Sequence, residues 1–426
     1  MSTFEALGLD PEILTAIEKL GFEHPTEIQI QAIPTILSSD QDLVALAQTG
    51  TGKTAAFGLP LIHRIRPELR EPQAMVLSPT RELAMQIARD LESFARFLPN
   101  IRIEPVYGGT PIYNQIKAIR KGVHVVVGTP GRMLDLIKRG VLDLSTVQYV
   151  VLDEADEMLN MGFKKDLDSI LGNTPEDKQT LLFSATMAEE VARIAQKYMA
   201  DPYRITVGTK NAGAKKVEHH YYQVPARERY EALKRILAME EDFYGIVFCR
   251  TRRDTEYVAR KLNRDGFPAD ALNGDLSQAQ RDKVMDRFRS GQITTLVATD
   301  VAARGLDVDD LSHVINYELP DDPEVYIHRS GRTGRAGKSG ISAVIIHSRE
   351  RHRIRNLERM SGKDFHQKRV PNGDEICQAQ LRRRDAYFAG GKRTQRGFAE
   401  LPSRNLSGTG RPQPGGVDPA FSDHGV

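Results

Sequence analysis

Cysteine is nearly absent: the 426 residues contain two, Cys249 inside the apolar run GIVFC and Cys377 far along the chain. Two thiols so placed argue against a disulfide framework, and both are expected to be reduced and metal-free. Long apolar runs are missing as well. No stretch approaches the ~18–20 uncharged residues of a membrane span, which argues against a transmembrane protein. The amino terminus, MSTFEALGLDPEIL, has neither a basic leader nor a long apolar run, so it reads as mature protein with the cytoplasm as its default compartment. Charge of one sign is also scarce, since 59 Lys and Arg nearly cancel 57 Asp and Glu and leave a net of +2. The surface as a whole therefore identifies no polyanion partner, and any nucleic-acid site must be local.

With 27% charged and 40% hydrophobic residues the chain has the composition of a soluble globular protein, long enough for two domains and an extension. From Leu43 to about Val207, short β-rich runs (DLVALA, AMVLSP, VHVVVGTP, VQYVVLDE, QTLLFSAT, YRITV) alternate with helical patterns, which predicts an α/β fold with a parallel sheet wrapped by helices. A second series follows: YYQV, YGIVFCR, TTLVATD, HVINYEL and ISAVII. The architecture is repeated without a close sequence repeat. The expected divisions are a first lobe over 1–207, a flexible linker over 208–217 containing GTKNAGAKK, a second lobe over 218–365, and an extension over 366–426. A short helix is expected from Asp374 to Tyr387; the rest of the tail, rich in Gly, Pro, Ser and Arg, reads as disordered.

AQTGTGKT follows a strand and opens a helix, the context of a phosphate-binding loop. Its residues Gln48, Thr49, Gly50, Thr51, Gly52, Lys53 and Thr54 would cradle phosphates with backbone N–H groups, Lys53 reaching the terminal phosphates and Thr54 ligating magnesium. The bland reading is a glycine-rich turn. A hundred residues on, VQYVVLDEAD puts Asp153 and Glu154 at the carboxyl edge of a strand, Asp153 to hold hydrated magnesium and Glu154 to orient and deprotonate the attacking water. A solvated helix start is the alternative. HRSGRTGRAG in the second lobe supplies Arg329, Arg332 and Arg335, of which Arg332 and Arg335 would act as arginine fingers, unless the run is only a basic surface loop.

Together with GFEHPTEIQ, PTRELA, GG, TPGR, SAT, FCRT, QAQR and ATDVAARGLDV, these runs make the chain closely resemble the DEAD-box RNA helicases of superfamily 2, from about Phe4 to about Ile346. The resemblance implies two tandem RecA-like domains with the active site between them, ATP and magnesium as cofactors, and an RNA-stimulated ATPase that clamps single-stranded RNA and parts short duplexes. By motif, Phe22 would stack on adenine and Gln29 read its edge, with Phe4 as the isolated upstream aromatic, and Asp307 would contact the ribose. Asp156, Ser184, Thr186, His328 and Arg329 would couple nucleotide state to RNA. RNA would meet Arg81, Gly109, Thr129, Gly131 and Arg132 in the first lobe, and Arg250, Gly274, Arg281 and Thr299 in the second. Hydroxyls, backbone N–H groups and guanidiniums suit sugar and phosphate, so binding would be sequence-independent, with the 2′-hydroxyl separating RNA from DNA.

Asn273 departs from the family, which often has His there. His219 and His220, adjacent on a strand, point to opposite faces and do not suggest a metal site. Arg382 to Arg384 in the tail suit either nonspecific RNA affinity or a solvated charge cluster. Rival readings are an RNA clamp without turnover and a DNA translocase. The sequence names no particular RNA, leaves ribosomal and other ribonucleoprotein particles open as partners, and is silent on oligomeric state.

Overall fold

The apolar runs become short parallel strands buried on both faces, the pattern required when helices cover a sheet from above and below. The computed structural model describes residues 3–48, 50–207, 217–303, 311–334 and 339–390, the last eight of these by backbone only. In the first lobe the strands are β1 (Leu43–Leu46), β2 (Ala74–Leu77), β3 (Ile103–Val106), β4 (Val125–Gly128), β5 (Tyr149–Asp153), β6 (Gln179–Ser184) and β7 (Tyr203–Thr206). Their order across the sheet is β3-β4-β2-β5-β6-β1-β7, every pair parallel. Alternate residues feed two cores: Ala45, Val76, Val151 and Phe183 on one face, Val44, Met75, Val150 and Leu182 on the other.

The second lobe contains β8 (Val217–Gln223), β9 (Gly245–Phe248), β10 (Ala269–Leu272), β11 (Thr295–Ala298), β12 (His313–Asn316), β13 (Gly340–Ile346) and β14 (Phe365–Lys368). Its order, β10-β11-β9-β12-β13-β8-β14, repeats that of the first lobe strand for strand. The repetition expected from the alternating patterns is therefore a repetition of topology, two tandem RecA-like sheets.

Two boundaries differ from expectation. The second sheet runs three residues past 365, because β14 pairs with β8 through His366, Gln367 and Lys368. Polar residues on an edge strand give no apolar signal, and only Phe365 of the four is buried. The helix expected at 374–387 extends over Gly373–Gly390. The linker residues 208–216 and the tail from 391 lie outside the described residues; Val217 opens β8. No helix among the described residues is long and apolar enough to cross a membrane. Cys249 is buried, Cys377 is exposed, and both are free thiols.

Candidate functional site

Parallel α/β sheets present their loops at the carboxyl ends of the strands, with ligands seated outside that edge. Here the edge is partitioned. The loops after β1, β5 and β6, adjacent in the sheet, carry the glycine loop, the two acids and the SAT run; those after β2, β3 and β4 carry PTRELA, the GG pair and TPGR.

At the first of these regions Gly50 and Gly52 adopt φ of +79° and +88°, the left-handed conformation that glycine tolerates without steric cost. A Cβ on Gly52 would also lie 2.4 Å from Nε2 of Gln29. The same Nε2 donates to the Gly52 carbonyl at 3.1 Å, while Oε1 of Gln29 accepts from the Thr26 amide at 2.9 Å. Gln29 thus pins the start of its own helix, Glu27–Ser38, to the glycine loop. Phe22 is partly exposed, in a row with Phe4 at 6.2 Å and Phe94 at 6.4 Å. Thr51 closes the loop by donating to the Gln48 carbonyl at 2.7 Å. Lys53 opens the helix Lys53–Arg64, which also carries Thr54. Its ammonium is buried with no hydrogen-bond partner among the described residues, an expensive arrangement unless an anion supplies the missing acceptor.

β5 ends at buried Asp153, whose Oδ1 accepts from the Glu154 amide at 3.0 Å. Burial pushes the Asp153 carboxyl up against the pull of Lys53, and the Glu154 and Asp156 charges push it further. A divalent cation would reverse that balance. A carboxylate and a hydroxyl are the hard oxygen donors magnesium takes, together with phosphate and water. No cluster of three His, Cys, Asp or Glu side chains able to cage a metal occurs among the described residues, so these donors fit only a cation that phosphates and water help to hold. Glu154 sits at φ 51°, ψ 51°, left-handed and rare for a residue with a side chain, and precedes the helix Ala155–Asn160.

The SAT run is joined to the acids: Thr186 gives both its amide (2.9 Å) and its hydroxyl (3.0 Å) to Asp156 Oδ2, and Ser184 donates to the Thr186 carbonyl at 2.8 Å. From the second lobe, His328 Nδ1 meets Glu157 Oε1 at 2.7 Å across the cleft. Burial disfavours protonation of His328, but the Glu157 bond and the charges of Asp156 and Glu154 outweigh it, and its pKa is raised. Arg332 lines the resulting cleft with Lys53, Glu154, Asp156, Asp300 and His328. Arg329 stays within its own lobe, bidentate on Asp300 at 2.5 and 2.6 Å, bonded to Asn316 Oδ1 at 2.8 Å and stacked over Phe248. Thr49, Asp307 and Arg335 lie outside the described residues.

The residues expected at RNA gather along the other part of both edges. Thr80 caps the helix Arg81–Phe94 by accepting from the Leu83 amide at 3.3 Å, which fixes Arg81 at the helix start. Its guanidinium lies 4.7 Å above the Tyr107 ring, with Nε and NH1 buried and without hydrogen-bond partners among the described residues. Gly109 is left-handed at φ +79°, Thr129 precedes the helix Pro130–Lys138, and Gly131 is exposed in its first turn. Arg132 instead points inward, to Gln115 and the Thr110 carbonyl. In the second lobe Arg250 grips the Leu319 carbonyl at 2.7 Å and Asp321 at 2.7 Å. Gly274 leaves room beside the Arg252 guanidinium, and Thr299 follows β11. Asn273 is wholly buried, donating to Thr255 Oγ1 at 3.1 Å and accepting from the Asp275 amide at 2.9 Å, so it shapes its turn rather than facing a ligand.

Sequence reasoning missed the cross-lobe acids. Arg281 reaches Glu82 at 3.1 Å, and Arg81 reaches Asp282 at 3.7 Å, a reciprocal pairing between PTRELA and QAQRD. The signal was present as Arg-acid dipeptides in both runs, but their meeting depends on the placement of the lobes. His219 and His220 point to opposite faces as expected, His219 to Tyr326 and Phe365, His220 to Glu218 and His366.

Residues 26–194 match the family model of the DEAD/DEAH box helicases, and residues 228–337 that of the helicase conserved C-terminal domain. The chain is 44% identical over 382 residues to the DEAD-box ATP-dependent RNA helicase CshA of Geobacillus kaustophilus, covering 90% of this chain and 81% of the relative. It superposes with a TM-score of 0.81 on S. cerevisiae Dbp5 bound to RNA and ADP BeF3, at 32% identity over 90% of this chain and 99% of that one. A DEAD box protein from Methanococcus jannaschii, 48% identical over 86% of this chain and 99% of that one, superposes at 0.51. Family models over both lobes, in the order of the motifs, and a relative matched across most of its length lead to one conclusion: the chain belongs to the DEAD-box family of ATP-dependent RNA helicases.

Proposed function

We propose that this protein is an ATP-gated RNA clamp: ATP and single-stranded RNA draw the two lobes together, the closed groove separates a short duplex, and hydrolysis releases the strand. The observation that carries this reading is that one closure joins the lobes at both stations, His328 to Glu157 beside the nucleotide loops and Arg281 to Glu82 beside the RNA loops. The better superposition on an RNA- and nucleotide-analogue-bound relative than on a more identical one supports it.

In this reading the orphaned Lys53 ammonium takes the terminal phosphates, and the loop amides from Gln48 to Thr54 take the rest. Thr54 and Asp153 would hold magnesium, which when bound neutralises phosphate charge. Glu154 orients the attacking water and accepts its proton, its left-handed backbone turning the side chain into the cavity that Arg332 shares. Arg332 and Arg335 cover the charge that develops on the transferred group. Phe22 packs on adenine, Gln29 reads it while holding the loop, and Asp307 meets the ribose. Asp156, Thr186 and Ser184 form a rigid strut between the acids and the SAT run, so a displaced phosphate is felt where Glu157 meets His328.

On the RNA side Arg81, Gly109, Thr129, Gly131, Arg250, Gly274, Arg281 and Thr299 offer groups for backbone and sugar only, which gives binding without sequence preference. Phosphate release by the full chain is expected to rise steeply with added single-stranded RNA and hardly at all with DNA of the same sequence. Equal stimulation by both would favour a DNA translocase, and none by either would favour an inert clamp.

A further inference from the structure

Gln115 lies outside every run that identifies the family, yet it is 5% exposed and engages both ends of its amide, one on the loop after β3 and the other on Arg132. It stands in the helix Ile112–Arg120. Nε2 donates to the Tyr107 carbonyl at 3.1 Å and to Thr110 Oγ1 at 3.4 Å, spanning the GG pair from one side to the other. Oε1 accepts from Arg132 NH1 at 2.8 Å, and NH2 of the same guanidinium donates to the Thr110 carbonyl at 3.1 Å. The loop from Tyr107 to Thr110 is therefore gripped at both ends by two side chains that hold each other. A buried amide so fully engaged is costly to replace, because each lost partner leaves a desolvated polar group.

The grip extends to the cation beside it. The Tyr107 ring, set by the backbone that Gln115 holds, lies 4.7 Å beneath the Arg81 guanidinium. A Cβ on Gly109 would come to 3.6 Å from Arg81 NH1, ordinary contact distance, so the GG loop lies directly against the guanidinium. Nε and NH1 of Arg81 are buried without hydrogen-bond partners among the described residues, while NH2 reaches Asp282 of the other lobe at 3.7 Å. A guanidinium held on its flat face and at one end keeps a fixed orientation beside the loop, which suits it to an oxyanion such as a backbone phosphate.

We infer that Gln115 is a positioning residue for RNA, which with Arg132 and Tyr107 sets the GG loop and holds Arg81 ready for a phosphate. Arg132 is a brace in this arrangement and not a phosphate contact. The inference rests on the proposed reading of this edge as the RNA site.

The test is RNA-stimulated phosphate release by the full chain, titrated with single-stranded RNA at saturating ATP and with ATP at saturating RNA. Gln115→Leu removes all three bonds at similar volume and is expected to raise the RNA concentration for half-maximal stimulation about tenfold. The rate at saturating RNA and the KM for ATP stay near wild type. Gln115→Glu, which keeps the acceptor for Arg132 but loses both donations to the loop, falls between. Tyr107→Leu withdraws the ring on a partly exposed loop without burying a lost partner. It moves RNA half-saturation in the same direction by about threefold, and it decides the matter if Gln115→Leu does not fold. Unchanged RNA half-saturation in a folded Gln115→Leu or in Tyr107→Leu overturns the inference, as does an equal loss in the KM for ATP. Wild-type protein that RNA does not stimulate at all would instead overturn the proposed function.

Discussion

The two lobes share one strand order and yet differ at the position that matters most. In the first, β1 runs into AQTGTGKT and a helix whose leading residue, Lys53, has a buried ammonium without a hydrogen-bond partner among the described residues. In the second, the equivalent strand β8 runs into Val224, Pro225 and a short turn at Ala226–Glu228. The helix that follows, Arg229–Met239, also begins with a cation, but Arg229 is occupied by Glu318 at 2.5 Å and Glu350 at 3.8 Å. One topology thus offers two places for a phosphate, and local sequence opens one and fills the other. The second lobe instead lines the cleft from the side, with Arg332 and His328.

The sharpest way to break this comparison is to remove both leading cations in turn. Lys53→Ala is expected to lower ATP turnover by roughly 10³-fold or more, as loss of a charge aimed at the transferred group does. Arg229→Gln should leave turnover near wild type and lower stability by roughly 1–3 kcal/mol, from the lost ion pairs to Glu318 and Glu350, which among the described residues keep only their contacts to Arg250, Arg353 and His347; a turnover loss matching that of Lys53→Ala would refute the asymmetry. Arg335→Ala should cost about 10³-fold in turnover with ATP affinity intact, and normal turnover would remove the cross-cleft role assigned to it.

Next in size, Arg281→Gln should raise RNA half-saturation about tenfold. A double-mutant cycle with Glu82→Gln should show coupling, because the two charges meet only when the lobes do. Additive effects would mean the pair does not contribute to closure.

The smallest effects concern pH and oppose one another. In the joined lobes the pKa of His328 is raised despite its burial, by Glu157, Asp156 and Glu154, so its cross-lobe bond weakens as pH rises through that raised value. RNA-stimulated turnover should therefore show a His328-dependent decline on the alkaline side, absent in His328→Gln. His219, buried within the second lobe, has its pKa lowered to about 4 by burial, with Lys363, His220 and His366 adding to the effect. The unfolded chain then binds more protons between about 6.5 and 4, and the stability this group contributes, present above that window, is lost as pH falls through it. Thermal melts of wild type and His219→Phe across that window should converge; parallel curves would clear His219 of the acid sensitivity.

The nucleotide loops were legible because their chemistry is local: a glycine loop after a strand and two acids at a strand end need no distant partner to be read. The strands were legible from their apolar runs, except β14, where Phe365 alone carries the signal and the other three residues face solvent at the sheet's edge. What could not be read was pairing across space. Arg281 looked like an RNA contact and also holds Glu82, Arg132 looked like another and braces a loop, and Glu157 was passed over as the residue after the DEAD box. In each the residue type is right for the site, but its partner is fixed by the packing of elements far apart in the chain. Asn273 shows the converse: a departure from the family pattern that proved to be an internal turn bond.

The seam between the two halves of the first lobe's edge has a mechanical consequence. β2, which leads to PTRELA, is hydrogen-bonded to β5, which leads to the acids Asp153 and Glu154, in unbroken register from Ala74 opposite Tyr149 to Leu77 opposite Leu152. A ladder buried on both sides has no give along that line. In the proposed reading each lobe would then act as a solid lever, and the departure of a phosphate would be passed to the nucleic acid by the swing of one lever against the other.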